Sequence, residues 1–448
     1  MTTPIKDFIQ KYISSSPLRL HMPGHKGKAL LGFEEYDITE IDGADVLYHA
    51  DGIILESMRN ASEIFGTGKT LYSAEGSSLS VRAMLFLAVK YAKCHGKNPL
   101  IFAGRNAHKV FVMSASLLDF DIKWLYGDNS GGITQCIISP KMLEKELKNS
   151  KELPCAVYIT SPDYLGNTAD IEGISKVCRK FGVLLLVDNA HGAYLNFLPR
   201  NIHPIALGAH MCCDSAHKTL PALTGAGYLH IAKDAPCMLS ENAEKAMSLF
   251  ASTSPSYLIL QSLDAVNEYL SDGYREKLSA CCKKIFALKK NLSEAGISNS
   301  DLEPLKITLN PKKFGYTGNE VYEYLRKNGI VCEFYDADST VMMLTPDSGK
   351  DVTEKIYSVL SALPVRPEIC TAPPPFAKPE TGMSVKDAIL SDTEILPLAE
   401  CRGRIYAGIC VSCPPAIPVA VCGEIIDDGI IRLMEYYGET RCEVVKKP

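Results

Sequence analysis

From about residue 61 the chain alternates helix-length segments with short apolar runs, at 100–103, 156–159, 183–187, 209–213 and 228–231. Strands spaced in this way predict an α/β fold, a mainly parallel sheet with helices on both faces. Ligands of such sheets bind beyond the carboxyl ends of the strands. Ser161, Asp188 and Ser215 all fall just past such ends.

Two of these ends carry chemistry. Asp188 closes the run Val183-Leu-Leu-Leu-Val-Asp188 and is followed by Asn-Ala-His-Gly192. Thirty residues after Asp188 stands Lys218, in Ser215-Ala-His-Lys218. A pyridoxal phosphate site requires an amine that condenses with the cofactor's aldehyde and an acid that pairs with its pyridinium nitrogen. Lys218 must lose a proton to condense, and a cationic ring beside it in a closed pocket favours the amine. Asp188 would keep the ring nitrogen protonated, so that the ring can accept an electron pair released at Cα. The competing readings are a surface lysine and an aspartate that caps the next helix.

The other expected cofactor contacts are small or polar. Gly76, Ser77 and Ser78 precede a helical pattern and would offer N–H groups and hydroxyls to a phosphate, with Ser215 and His217 completing the cup. The same triplet would also serve as an ordinary N-cap. Ala190 is small enough for a ring to lie against the strand end, and His191 can donate to the cofactor's phenolic oxygen. His108, in Gly104-Arg-Asn-Ala-His-Lys109, could stack on the opposite ring face. Either histidine could instead be structural.

Composition narrows the partners. Lys and Arg number 47 against 52 Asp and Glu, a net charge of −5, with no block of like charge. That argues against nucleic acid or an anionic membrane and for a small-molecule substrate. The N-terminus has no apolar signal region, and no apolar run approaches the roughly 20 residues of a membrane span, so a cytoplasmic protein is expected. The 16 cysteines are scattered and read as reduced, buried thiols. Cys410-Val-Ser-Cys413 has CxxC spacing, but it lacks a second pair and runs into Pro414-Pro415; no metal is expected there.

With 448 residues the chain is long enough for a full core and a second domain. Residues 1–60 are punctuated by Pro and Gly and read as an arm of the kind that packs on a partner subunit. Residues 61–285 form the expected large cofactor-binding domain, with 241–295 largely helical. Residues 286–448 form a smaller α+β domain.

The motifs, in order, are His21-Met-Pro-Gly-His-Lys-Gly27, Asp42-Gly-Ala-Asp-Val-Leu47, Gly76-Ser-Ser78, Arg105-Asn-Ala-His-Lys109, Asp188-Asn-Ala-His-Gly192, Ser215-Ala-His-Lys218, Thr253-Ser-Pro-Ser-Tyr257, Gly329-Ile-Val-Cys-Glu333, Gly403-Arg-Ile405 and Pro414-Pro-Ala-Ile-Pro418. Together they resemble the Orn/Lys/Arg decarboxylase family, pyridoxal phosphate enzymes of the aspartate-aminotransferase fold (fold type I). The resemblance implies that Lys218 binds the cofactor covalently, Asp188 pairs with its ring nitrogen and His108 stacks on the ring. It further implies that Ser77, Ser78, Ser215 and His217 hold the phosphate. The segment containing Thr253 would reach a neighbouring subunit's phosphate, making the active unit at least a homodimer. The length resembles that of the short biosynthetic members, associated with polyamine synthesis, and favours arginine as substrate. Two positions depart from the pattern: Glu75 stands where Asn is common, an anion beside a phosphate, and Cys413-Pro-Pro-Ala416 replaces Tyr-Pro-Pro-Gly.

The expected reaction is decarboxylation of arginine, lysine or ornithine to agmatine, cadaverine or putrescine. The Cα–carboxylate bond would be held perpendicular to the ring plane, and a proton returned to Cα from Lys218 or His217. Glu333 or Asp336, or Asp42 or Asp45 from a partner subunit, could receive the basic end of the substrate. An arginine at 404 pinning the α-carboxylate would instead mean transamination. A lyase reaction on the same scaffold and a non-catalytic cofactor-binding homologue are the remaining alternatives.

Overall fold

The computed structural model describes residues 1–127, 136–300, 302–409 and 418–447. The Cys410 and Cys413 pair therefore lies outside the described residues, as does most of the motif beginning at Pro414. Among the described residues no disulfide forms, and the cysteines are free thiols.

In chain order the elements that matter for the site are α1 (Pro4–Ser14), α2 (Ile53–Phe65), β1 (Lys69–Ser73), α3 (Gly76–Cys94), β2 (Leu100–Gly104), α4 (Lys109–Leu118), β3 (Asp121–Leu125), α5 (Pro140–Lys148), β4 (Ala156–Thr160), α6 (Ile171–Phe181), β5 (Leu184–Asp188), β6 (Met211–Asp214), the short helix α7 (Ala216–Thr219) and β7 (Gly227–Ile231). The seven strands form one sheet in the order β1-β7-β6-β5-β4-β2-β3. β5 with β6 and β2 with β3 pair in parallel, whereas β7 runs antiparallel to both β1 and β6. The expected α/β class is therefore met, and the sequence reading missed only β1 and β3. β5 and β7 are buried at every position, as a strand covered on both faces must be.

The chain divides into two compact units. The first comprises residues 1–99, 153–157 and 171–277. Here α1 lies against α2 and the helix Tyr257–Ser271. Its first amides are capped from far along the chain: Asp264 accepts hydrogen bonds from the Ile5 and Lys6 N–H groups, both at 3.0 Å, and from the Ser57 hydroxyl at 2.5 Å. The beginning of the expected arm is thus a helix fixed by a buried carboxylate. Asp45 acts similarly on α2, whose N-cap Gly52 has no side chain to offer; it accepts from the Gly52 and Ile54 N–H groups at 2.9 Å.

The second unit comprises residues 100–152, 158–170 and 278–448. It contains a four-stranded sheet of β8 (Asn299–Ser300), β9 (Lys306–Leu309), β10 (Phe334–Tyr335) and β11 (Thr340–Met343), in the order β10-β11-β9-β8. Arg105 is fully buried here, paired with Glu424 through contacts of 2.5 and 2.8 Å. The rings of Trp124, Tyr126 and Phe376 lie 5.2 to 5.8 Å from its guanidinium carbon. A charge this deep needs both the carboxylate and the ring faces to offset lost hydration. The three-part division into arm, large domain and small domain remains our proposal for the chain's organisation.

Burial raises the Asp264 carboxyl to about 6, despite the hydrogen bonds it accepts. A carboxyl raised on folding favours the native state below its unfolded value, near 4, and loses that contribution as pH rises through about 6. Asp264→Asn should therefore gain stability relative to the wild type between pH 4 and pH 7, by on the order of 3 kcal/mol at most. Urea unfolding of both proteins across that range measures it.

Candidate active site

The parallel pairing of β5 and β6 sets Asp188 opposite Cys213, so the carboxyl ends of the two strands emerge side by side. Asp188 is 3% exposed, and its carboxylate accepts from the Ala190 N–H at 3.2 Å and the Cys213 thiol at 3.6 Å. Burial, and then the charge of Asp188, push the Cys213 thiol well above its usual range, so it stays a neutral donor. Two residues beyond Cys213, the chain turns into α7, which carries Lys218.

Lys218 Nζ lies 3.0 Å from His191 Nε2. The sequence reading had His191 donating to the cofactor's phenolic oxygen; in the structure its ring meets the lysine amine. Ala190 is buried beside it. The turn 188–192 and the helix α7 thus present an acid, a small residue, an imidazole and an amine together.

The residues expected to cup a phosphate stand at the start of α3. Its N-cap residue, Glu75, makes no side-chain cap bond to the helix. Gly76 adopts φ +69°, a left-handed conformation that glycine takes without strain, and its N–H donates to Gly225 O at 2.6 Å. The Ser215 hydroxyl donates to the Ser77 hydroxyl at 2.8 Å, joining the helix start to the lysine turn. His217 Nδ1 bonds the Ala226 carbonyl at 2.8 Å. A carbonyl only accepts, so the proton sits on Nδ1 and Nε2 is left for another partner. Gly227 is where the strand presses on the helix: a Cβ there would lie 2.9 Å from Gly76 C and 3.1 Å from Ser77 N. Helix-start amides, three hydroxyls counting Ser78, and an imidazole form a donor set suited to a phosphate dianion.

Glu75 does not point an uncommitted anion at this cup. Its Oε1 accepts from the Ser252 N–H at 2.6 Å, in the loop that also carries the exposed Thr253. Of the acids considered for the basic end of a substrate, Asp45 is committed to the start of α2. Asp336 is buried and accepts from the Asp338 and Ser339 N–H groups at 2.8 and 2.6 Å. Asp42 is exposed. Glu333 is also exposed and accepts from the Tyr164 hydroxyl at 2.8 Å. Arg404 is engaged by Glu394 at 2.6 Å and by the Val445 carbonyl at 2.7 Å, and Arg402 pairs with Asp428 at 3.0 Å. His108 belongs to the second unit, where its Nδ1 accepts from the Val110 N–H at 3.3 Å and caps α4.

Sequence reasoning passed over Asn189, Asp214, His203 and His230, which form a buried hydrogen-bonded group directly behind the turn. Asp214 had a signal: an acid closing an apolar strand, as Asp188 does.

A family model described as Orn/Lys/Arg decarboxylase, major domain, matches residues 3–307. The arginine decarboxylase of Bacillus subtilis (strain 168) is 27% identical over 463 residues, spanning 95% of this chain and 91% of its own. That of Bacillus anthracis is 26% identical over 475 residues, spanning 95% and 90%. Among solved structures, lysine decarboxylase A from Pseudomonas aeruginosa superposes with a TM-score of 0.82 at 17% identity, over 99% of this chain and 80% of that one. At that identity the likeness speaks to the fold, which is the fold type I architecture expected from the motifs.

If the cup holds a phosphate, crowding it should show in binding. Gly227→Ala forces the start of α3 to shift and should weaken pyridoxal phosphate uptake by the apo-protein at least about tenfold, the loss of one charge-assisted hydrogen bond or more. Absorbance titration measures the change.

Proposed function

Because the chain belongs to the Orn/Lys/Arg decarboxylase family, and is thus an amino-acid decarboxylase, we propose that it holds pyridoxal phosphate on Lys218 and removes the α-carboxylate of a basic L-amino acid as CO2. Arginine is the first choice among arginine, lysine and ornithine, with agmatine as product; the relatives named arginine decarboxylase support that order. The observation that carries the reading is the contact of Lys218 with His191, on the turn that leaves the buried Asp188 at the end of β5, next to the strand that leads into the lysine helix.

The residues present fit the cofactor. Ser77, Ser78, Ser215 and His217 would hold its phosphate, Asp188 its ring nitrogen and Ala190 one ring face. When bound, the cofactor supplies an electron sink for the pair left at Cα. Asp188 is buried, where its charge is little screened by solvent, so it could hold a proton on the ring nitrogen of a bound cofactor. Lys218 is carried on a short helix whose first turn is fixed by the Lys218 N–H to Ser215 O bond at 3.1 Å, which limits where the amine can swing. His191 at 3.0 Å can take or return a proton at Lys218 Nζ. Lys218 or His217 would deliver a proton to Cα.

Transamination needs an arginine for the α-carboxylate, and Arg404, the candidate for that role, is already bound to Glu394. The arm exposes Leu18, Leu20, Leu30 and Leu31, each at least 76% accessible, an apolar surface that a second copy of the chain would cover. We therefore expect a homodimer or larger assembly, in which Thr253 approaches the neighbouring phosphate. No helix of the described residues is long and apolar enough to cross a membrane; a cytoplasmic enzyme acting on a small molecule fits the charge pattern.

Purified protein supplied with pyridoxal phosphate should release CO2 from arginine, and Lys218→Ala should lower that rate by at least about a thousandfold, as removal of a covalent catalyst does. Release from none of the three basic amino acids, or transfer of the amino group to a keto acid instead, would refute the reading.

A further inference from the structure

Behind the turn 188–192 lies a carboxylate that the proposed chemistry does not use. Asp214 is fully buried and closes β6, one strand over from Asp188. Its Oδ1 accepts from Asn189 Nδ2 at 2.7 Å, and its Oδ2 lies 3.1 Å from His203 Nε2 and 3.3 Å from His230 Nε2. All four residues are 0% exposed. Phe65 closes the group off, with ring centroids 5.7 Å from His203 and 4.6 Å from His230.

The donors can be assigned. Thr70 Oγ1 lies 2.9 Å from His230 Nδ1, so a threonine proton can be accepted there while Nε2–H faces Asp214. His203 Nδ1 has no hydrogen-bond partner, so the ring's one hydrogen bond is the one from Nε2 to Asp214. Burial alone would raise the Asp214 carboxyl, but attraction to His203 and the bonds from both imidazoles hold it well below the usual carboxylate range. The centre of the group is therefore one anion that takes hydrogen bonds from Asn189 and His203 and lies 3.3 Å from the His230 ring.

Asn189 is the link from this anion to the site. Its side-chain oxygen is buried without a hydrogen-bond partner and packs so closely on Gly192 that a Cβ there would lie 2.0 Å from it. Only the bond to Asp214 fixes which way the amide faces; reversed, it would set oxygen against carboxylate. The Asn189 backbone is tied as well, its N–H donating to Cys213 O at 3.0 Å and its carbonyl accepting from Gly192 N at 2.7 Å. Asp188 and Ala190 flank it, His191 follows, and Ser215 follows Asp214 itself.

We propose that Asp214 is a positioning residue: gripped by His203 and His230, it holds Asn189 and thereby sets where Asp188 and His191 meet Lys218 and the cofactor. This rests on the proposed pyridoxal phosphate site. The same three side chains, His203, Asp214 and His230, have the composition of a metal site. Hydrogen bonds from Asn189 and His203 already hold the carboxylate, with His230 Nε2 3.3 Å away, and an ion seated among the three side chains would have to replace those contacts.

The test uses a charge exchange. Asn189→Asp places two carboxylates against each other with almost no change of volume, and should weaken pyridoxal phosphate uptake by apo-protein by about tenfold or more. Asn189→Asp combined with Asp214→Asn restores one anion and one amide across the same gap, and should recover most of that loss together with the wild-type absorbance of the bound cofactor. A role in packing alone would not produce recovery, and thermal midpoints of the apo-proteins show whether each variant folds. Three results overturn the inference: Asn189→Asp binding as tightly as wild type, no recovery in a folded double variant, or a stoichiometric metal ion in the wild-type holoenzyme. If wild-type apo-protein takes up no pyridoxal phosphate, the functional reading itself fails and the inference falls with it; normal wild-type uptake with an unaffected Asn189→Asp sinks the inference alone.

Discussion

The parallel hydrogen bonding of β5 to β6, in the register that sets Asp188 opposite Cys213, is the constraint on which the site depends. It brings residues thirty positions apart in sequence to neighbouring strand ends, one ending in the acid and the next leading into the lysine turn. A slip of one residue would turn Asp188 to the other face of the sheet and separate it from Lys218 and His191. The register is held by strands whose side chains are buried throughout β5 and β6, so a slip would place Asp188 among apolar neighbours. Helix α3 then closes the site from one side, because Gly227 lets the strand and the helix start approach to backbone contact.

Much of this was legible in the sequence, for an identifiable reason. Strands β2, β4, β5, β6 and β7 are apolar runs because the sheet buries them on both faces, and the same burial makes a terminal carboxylate such as Asp188 conspicuous. β1 and β3 were not legible: β1 opens with Lys69, and β3, with Asp121 and Lys123, is only partly buried. Helix α1 was hidden inside a stretch read as an arm, since the group that caps it is Asp264, more than 250 residues away.

The partners of the acids were not legible in the sequence. Asp45 and Asp336 looked available for a basic substrate, yet both are consumed by backbone N–H groups, which carry no mark in a sequence. Glu75 looked misplaced beside a phosphate; its carboxylate instead binds the Ser252 amide and ties the loop bearing Thr253 to the start of α3. The group of Asn189, Asp214, His203 and His230 escaped notice because each is a common core residue alone, and only the pairing of β6 with β5 and β7 assembles them.

The proposed chemistry depends on which lysine carries the cofactor. Protein incubated with pyridoxal phosphate, reduced with borohydride and digested should yield one modified peptide, with the pyridoxyl group on Lys218. Modification of a different lysine, or stoichiometric loading with no covalent attachment at all, would contradict the assignment of this site.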